Sequence, residues 1–437
     1  MRPQIIVFDD DPTGSQTVHS CLLVLRWDVE TLRQGLRDVA PIFFILANTR
    51  AMVEAQAIAT TREICINLKT ALQAEKIENF ILVSRSDSTL RGHFPAETEA
   101  IAAEFGEFDA CFHAPAFFEG GRITRAGNHY IAEENSLTPV HATEFAKDSV
   151  FGFKDSFLPR YIAEKTKGAI AAAEVEIIEP RATGNDFSVY LQALQHNRQV
   201  VINGETQADF DQIVPSLFAA VAQGKKFLFR SAASLLTSFA SLAPQPIPAI
   251  AMGHYCHSSQ PGIILVGSHV QKTSDQLTQL LNLETVQGVE LDIYQCQPNG
   301  DRPQYLATIS AKIQQIFQAN KTPVLFTTRK FVAHTSSEQA IAYGQNISDS
   351  FNFVIRHLPT DIRFIISKGG NTTNALLRQA LKLQTVRLLG QIMPGCCLVQ
   401  TEATHPLFPK LPIVLFPGNV GDRHTLATVY HRLQKKT

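Results

Sequence analysis

The stretch Ile5-Ile6-Val7-Phe8-Asp9-Asp10-Asp11-Pro12-Thr13-Gly14-Ser15-Gln16-Thr17 decides how the rest of the chain is read. Four apolar, mostly β-prone residues run straight into three carboxylates. An apolar run of this length, bounded by Pro and Gly, predicts a buried strand. The carboxylates then sit just past its carboxyl end, on a turn made by Pro12 and Gly14. In open α/β sheets that edge is where ligands bind. Adjacent carboxylates repel one another, so a purely structural turn gains little from them. A cation or a polyhydroxylated ligand accounts for them better; a solvated acidic turn is the plainer alternative.

Downstream, residues 18–25 read as a second strand and residues 28–39 as a helix with Asp28 as N-cap. A third apolar run at 42–46 ends in Ala47-Asn48-Thr49-Arg50, which puts a guanidinium past another strand end. A helix is predicted over 52–75. The run at 80–83 ends in Ser84-Arg85-Ser86-Asp87-Ser88-Thr89-Leu90-Arg91-Gly92. Residues 110–112 lead into Ala114-Pro115-Ala116-Phe117-Phe118-Glu119-Gly120-Gly121-Arg122. Strands alternating with helices imply a parallel sheet, and at least three of its strand ends carry charged or hydroxylated residues. Residues 127–173 have no clear period and read as an insertion or lid. Two more strands are expected at 199–202 and 226–229, around a helix at 208–221. The second of them ends in Arg230-Ser231-Ala232-Ala233-Ser234.

A composition break follows at Leu242-Ala243-Pro244-Gln245-Pro246-Ile247-Pro248 and the polar residues 252–261. It predicts an N-terminal domain over 1–241, a linker over 242–261 and a C-terminal domain over 262–437. The α/β pattern restarts with a strand at 262–266 and the turn Gly267-Ser268-His269. A helix at 273–281, strands at 323–326 and 364–366, and a helix at 337–351 follow. Ser367-Lys368-Gly369-Gly370-Asn371-Thr372-Thr373-Asn374 opens a helix after a Gly-Gly turn, a pattern that aims free N–H groups at one spot and cradles phosphate. Met393-Pro394-Gly395 and Phe416-Pro417-Gly418-Asn419-Val420-Gly421 are two further Gly turns. No Walker sequence occurs, so a nucleotide site here is of another design.

Length and composition bound the classes. A chain of 437 residues exceeds one ordinary core, and 45% hydrophobic against 18% charged residues describes a globular chain. A formal net charge of −1 gives no reason to expect a polyanionic partner. Seven scattered cysteines, with Cys396 and Cys397 adjacent, do not make a disulfide framework, and a cytoplasmic setting is expected. The immediate entry into a strand leaves no room for a signal peptide. No apolar run is long enough to span a membrane.

Asp9-x-Asp11-x-Thr13 after a strand also has the form of an aspartyl-phosphatase first motif, in which one carboxylate attacks phosphorus. The late acidic pair that chemistry needs is missing. His254-Tyr255-Cys256-His257 has no second ligand pair at zinc-site spacing. Cys396 and Cys397 read as packed small residues. Arg85, Asp87, Ser88 and Arg91 suit a ligand bearing both a carboxylate and hydroxyls, because Arg meets carboxylate or phosphate in bidentate geometry. A salt-bridged helix start, capped by Ser88 or Thr89, is the alternative.

Taken together, the chain resembles the four-carbon acid sugar kinase family, formerly a domain of unknown function, over nearly its full length. The matching landmarks are Asp10-Asp11-Pro12-Thr13-Gly14, Thr49-Arg50, the run 85–92, Ala114-Pro115-Ala116 and Gly121-Arg122. In the second half they are Gly267-Ser268, Gly369-Gly370-Asn371-Thr372, Pro394-Gly395 and the run 417–421. The resemblance implies two α/β domains with mainly parallel sheets and an active-site cleft between them. The first would bind a sugar acid through Asp11, Arg50, Arg85, Ser86, Asp87, Ser88 and Arg91. The second would bind ATP through Ser268, Gly369, Gly370, Asn371, Thr372, Gly395, Gly418 and Gly421. The chain departs from the family where Ser15-Gln16-Thr17 follows Thr-Gly in place of an acidic residue. It departs again at Arg85, often Lys, and at Asn371, often acidic. These changes bear on which acidic polyol is taken.

The function expected is an ATP-dependent kinase phosphorylating a hydroxyl of a small sugar acid or its keto form, with Mg²⁺ on the phosphates and no assigned metal ligands. Asp11, or Asp10 beside it, is the expected general base, with Asp87 second. The partners are the acid and ATP, with no nucleic acid or membrane, and a homodimer is compatible with this reading. The rivals are an aspartyl phosphatase working through Asp9 and Asp11, and a non-catalytic sugar-acid sensor.

Overall fold

The computed structural model describes residues 2–133, 136–184, 186–298, 301–329 and 337–434. Residues 1–243 and 244–437 form two compact units.

Among its described residues the first unit holds eleven strands: β1 Gln4–Asp9, β2 Leu22–Val24, β3 Ile42–Leu46, β4 Phe80–Arg85, β5 Ala110–Ala114, β6 Arg122–Arg125, β7 Asn128–Glu133, β8 Ser136–Pro139, β9 Glu176–Ile178, β10 Arg198–Ile202 and β11 Phe227–Ser231. Eight of them make a sheet in the order β2-β3-β1-β4-β11-β5-β10-β9, and every neighbouring pair is parallel. Ile5, Ile6 and Val7 are fully buried. A parallel strand covered on both faces is apolar at consecutive positions, and that is why this run lacks alternation. From β1 the chain goes first to one side, to β2 and β3, and then to the other, to β4. The crevice at the carboxyl end of β1 is therefore the topological switch point, where such sheets bind ligands. Register brings Asp9 level with Leu46 and Arg85, and Arg85 level with Ser231.

Local signals account for the helices that cover this sheet. Asp28 caps the helix Val29–Leu36, its carboxylate accepting from the Thr31 N–H at 3.0 Å. The helix Glu54–Glu75 buries Ile64, Cys65, Leu68 and Leu72 against the strands. The expected insertion is a docked layer. Its strands β6-β7-β8 form an antiparallel sheet. Val140, Phe153, Leu158, Tyr161 and Ile162 pack there with Leu90 and Phe94 of the chain after β4, and Tyr161 Oη donates to the Leu90 carbonyl at 2.9 Å.

The second unit holds β12 Ile263–Val266, β13 Val286–Leu291, β14 Thr322–Thr327, β15 Ile365–Lys368, β16 Thr385–Met393, β17 Cys396–Gln400 and β18 Pro412–Phe416. The strands β13-β14-β12-β15-β18 run parallel, and β17 and β16 continue the sheet antiparallel. Cys396 and Cys397 open β17 and are buried in it as packing residues. Residues 244–261, expected as a linker, belong to this unit. Their prolines rule out a long α-helix, yet Ala249–Tyr255 forms a 3₁₀ helix and buries Met252 completely among Ile264, Phe364 and Ile392. No helix among the described residues is long and apolar enough to cross a membrane.

Because Met252 fills this core, Met252→Ala should lower stability by roughly 2–5 kcal/mol, the cost of a buried Met-to-Ala cavity. Urea denaturation of the full chain checks it. A loss below about 0.5 kcal/mol, the size of an ordinary surface substitution, would mean the segment is only loosely attached.

Candidate active site

The acidic turn is folded around its own carboxylates. Asp9 and Asp10 are buried, with 0% and 1% exposure. Gly14 closes the turn, because a Cβ there would lie 2.0 Å from Asp9 Oδ1. Asp11 Oδ1 accepts from the Thr13 N–H at 2.8 Å and from the Thr13 hydroxyl, in an Asx turn. Its side chain is 19% exposed, so Asp11 is the accessible member of the three.

Guanidiniums from two other strand ends converge on the buried pair. Arg50 Nε and Nη2 donate to the two oxygens of Asp10, the first at 2.9 Å. Arg85 Nη1 lies 3.1 Å from Asp10 Oδ1 and 3.4 Å from Asp9 Oδ1. Asp9 Oδ2 and Arg85 Nε are buried with no hydrogen-bond partner. Burial pushes the Asp9 carboxyl up to about 7, with the neighbouring Asp10 and Asp11 charges adding and Arg85 opposing.

After β4 the chain turns past Asp87. Arg91 Nε donates to Asp87 Oδ2 at 2.6 Å, and the Thr89 hydroxyl donates to the same oxygen. Burial alone would raise this carboxyl, but the Arg91 and Arg50 charges hold it well below the usual range. The Ser86 N–H donates to the Ser231 carbonyl at 2.9 Å, and the Ser88 carbonyl accepts from His129 Nε2 at 2.8 Å. All seven substrate-side residues named from sequence thus lie on one sheet edge. Sequence reasoning gave no site role to Arg230, Glu97 or Arg122, although Gly121-Arg122 was a matching landmark. Arg230 Nη1 donates to Glu97 Oε2 and Ser84 Oγ, both at 2.6 Å. Its position at a strand end was the available signal, whereas Glu97 lies in the helix Ala96–Phe105 and gave none. A cavity of about 1040 Å³ lies at the opposite edge of this sheet, around Phe80, Phe105 and Phe227. It contains none of these groups.

In the second unit, backbone dominates. Gly369 follows β15 with φ +116°, and a Cβ there would sit 3.1 Å from the Ser268 nitrogen. A Cβ on Gly418 would sit 2.6 Å from Ser268 Oγ, and one on Gly267 2.0 Å from Thr372 Oγ1. Ser268, Gly369, Thr372 and Gly418 therefore make one close-packed turn cluster, with Gly370 and the exposed Asn371 at the start of the short helix Gly370–Ala375. Thr273 Oγ1 donates to the Gly418 carbonyl at 2.9 Å. Lys368, unnoticed in the sequence, is fully buried, and its Nζ donates to the Pro417 carbonyl at 2.9 Å. Burial pushes its pKa down to about 7. Gly395 and Gly421 serve local turns: Gly395 closes the β16–β17 hairpin with φ +75°, and Gly421 packs on Thr425 at the next helix start.

Family models match both halves, a sugar-binding N-terminal domain over residues 5–239 and a nucleotide-binding C-terminal domain over 263–426. The chain belongs to the family built from these two domains, the four-carbon acid sugar kinase family. Among its relatives is a D-threonate kinase from Bordetella bronchiseptica, 28% identical over 198 residues, which are 40% of this chain and 46% of that protein. A D-erythronate kinase from Heliobacterium modesticaldum is 20% identical over 99% of this chain and 97% of its own. A Salmonella typhimurium LT2 structure, provisionally described as a tRNA synthase, shares the fold with a TM-score of 0.68. It is 17% identical and covers 99% of this chain and 98% of its own. A Haemophilus influenzae structure of the former unknown-function family follows at TM-score 0.62 and 16% identity, over 98% and 99%.

Asp9 yields a pH prediction. Its carboxyl titrates near 7 when folded and near 4 when unfolded, so between those values the native state holds the extra proton. Its contribution is full below about pH 4 and is lost as pH rises through about 7. Asp9→Asn should therefore gain stability relative to wild type between pH 4.5 and pH 8, by up to roughly 4 kcal/mol. Urea titrations of both proteins across that window test it, and a constant difference would contradict the buried-carboxylate account.

Proposed function

We propose that the protein transfers the γ-phosphoryl group of ATP to a hydroxyl of a small sugar acid, of the D-erythronate or D-threonate class. The observation that carries this reading is the partly exposed Asp11 carboxylate beside two buried ones, held among guanidiniums at the switch point of the first sheet. Support also comes from the family membership and from the names of the two relatives. Phosphoryl transfer asks a protein chiefly for positioning and charge stabilisation. Asp11 accepts the acceptor hydroxyl's proton, and the Ser268, Gly369 and Gly418 turns receive the phosphates through backbone N–H groups. The close packing suits such a cradle, because a Cβ on Gly369 or Gly418 would press on Ser268. Mg²⁺, as the partner of ATP, would be held by the nucleotide's phosphates together with water and would neutralise their charge. The described residues hold no cluster of three or more His, Cys, Asp or Glu side chains able to bind it alone. The unpaired and mostly buried cysteines suit a cytoplasmic setting.

Coupled ADP release with D-erythronate and D-threonate tests the assignment. Acid-dependent ADP formation is expected. Phosphate release from sugar phosphates in Mg²⁺ alone would instead favour the phosphatase, and acid binding without turnover would favour the sensor.

Asp11→Asn should keep both ligands bound and lower kcat by roughly 10²–10⁴-fold, the usual loss of a general base. If Asp10→Asn loses turnover and Asp11→Asn does not, the base is misassigned.

Gly369→Ala should weaken binding of a non-hydrolysable ATP analogue about tenfold or more, from backbone strain of roughly 1–3 kcal/mol. Acid affinity should stay unchanged. Calorimetry with each ligand separately reads both, and equal losses would mean the substitution disturbs more than the cradle.

A further inference from the structure

Arg122 stands apart from the other guanidiniums of the first unit's site. Arg50 and Arg85 are held by Asp10, Arg91 by Asp87 and Arg230 by Glu97. Among the described residues, no carboxylate lies within ion-pair distance of Arg122. Its Nη1 donates to the Gly120 carbonyl, and its Nε is buried without a partner. The Nε–Nη2 edge, the one that grips a carboxylate with two parallel hydrogen bonds, has no acceptor among the described residues.

The backbone that carries Arg122 is held on both sides. The Arg122 N–H donates to the Phe117 carbonyl at 2.8 Å, and the Arg122 carbonyl accepts from the Phe117 N–H at 2.9 Å. Its strand partner β7 carries His129, whose Nε2 donates to the Ser88 carbonyl at 2.8 Å. That bond pins the hairpin onto the loop that carries Asp87. Burying a cation without a counter-ion costs several kcal/mol unless a partner arrives. Burial lowers the Arg122 pKa, with the Arg91 charge assisting and the Asp87 and Glu133 charges opposing. A half-buried guanidinium near Asp87 and Arg91, with no ion-pair partner among the described residues, is a vacancy for an anionic ligand.

We propose that Arg122, rather than Arg85, takes the carboxylate of the bound sugar acid, so that the hydroxyl-bearing end of the ligand faces Asp11. This deepens the sugar-acid reading above and rests on it. Arg85 then serves as a positioning residue that neutralises Asp9 and Asp10. Specificity for an acid over its neutral polyol follows from one residue, because the polyol leaves the buried charge uncompensated.

The experiment measures binding directly, by calorimetry of the full chain with D-erythronate and D-threonate and by competition with erythritol and threitol. Arg122→Gln should weaken acid binding about ten- to over a hundredfold, the equivalent of losing a charge-assisted pair of roughly 1.5–3 kcal/mol. Polyol competition should change less than about twofold, since the lost pair is absent there. Arg122→Lys should lie between wild type and Gln for the acid, because it keeps charge and loses the fork. Unchanged affinity for an ATP analogue in both variants shows that they are folded. Retention of the acid preference in Arg122→Gln, or its loss only in Arg85→Gln, overturns the proposal. A wild type that binds acid without phosphorylating it sinks the kinase reading alone, since the binding ratios still judge Arg122. A wild type with no affinity for either acid overturns both.

Discussion

Asp10 is shared between Arg50, which follows β3, and Arg85, which ends β4. Asp10 itself follows β1, so one buried carboxylate ties three neighbouring strand ends together. The geometry of the first unit's site depends on that tie. Removing one member of such a buried web leaves an uncompensated charge, at a typical cost of 3–5 kcal/mol. The arrangement also divides labour among three adjacent carboxylates. Asp9 is sealed under Gly14, Asp10 is consumed by guanidiniums, and Asp11 alone is presented outward. Of the three carboxylates, only Asp11 is thereby open to a ligand.

The second unit solves a different problem with different means. A phosphate group is large, highly charged and best met by several N–H donors at once. Side chains would obstruct that approach, and the turns at Ser268, Gly369 and Gly418 are packed so tightly that no Cβ fits on either glycine without displacing Ser268. Lys368 links two of these turns from behind, since it ends β15 and bonds to the carbonyl just before Gly418. A buried amine in that position ties the loop after β18 to the end of β15.

The strand over 42–46 was legible to the residue, because a fully buried parallel strand leaves an unbroken apolar run. The cap at Asp28 and the carboxylates past β1 were legible for equally local reasons. Strands β13, β17 and β18 of the second unit escaped notice. In β13 Gly288 and partial exposure dilute the pattern. The proline-rich stretch looked like a linker because prolines bar helices, but only the fold shows Met252 packed into a core. At the site, sequence gave the residue types at each strand end and could not give their pairing. Whether Arg85 or Arg122 is free depends on which carboxylate lies across from it, and that is set by strand order. Glu97, which ties up Arg230, sits in a helix with no marking of its own.

The most direct test of this account is a crystal structure of the protein with a sugar acid and a non-hydrolysable ATP analogue bound. The account predicts an acid hydroxyl within about 3 Å of an Asp11 oxygen, the reach of a general base. It also predicts the triphosphate on the Ser268, Gly369 and Gly418 turns. An acid bound away from the acidic turn, or a hydroxyl directed at Asp87 with Asp11 facing solvent, would contradict it.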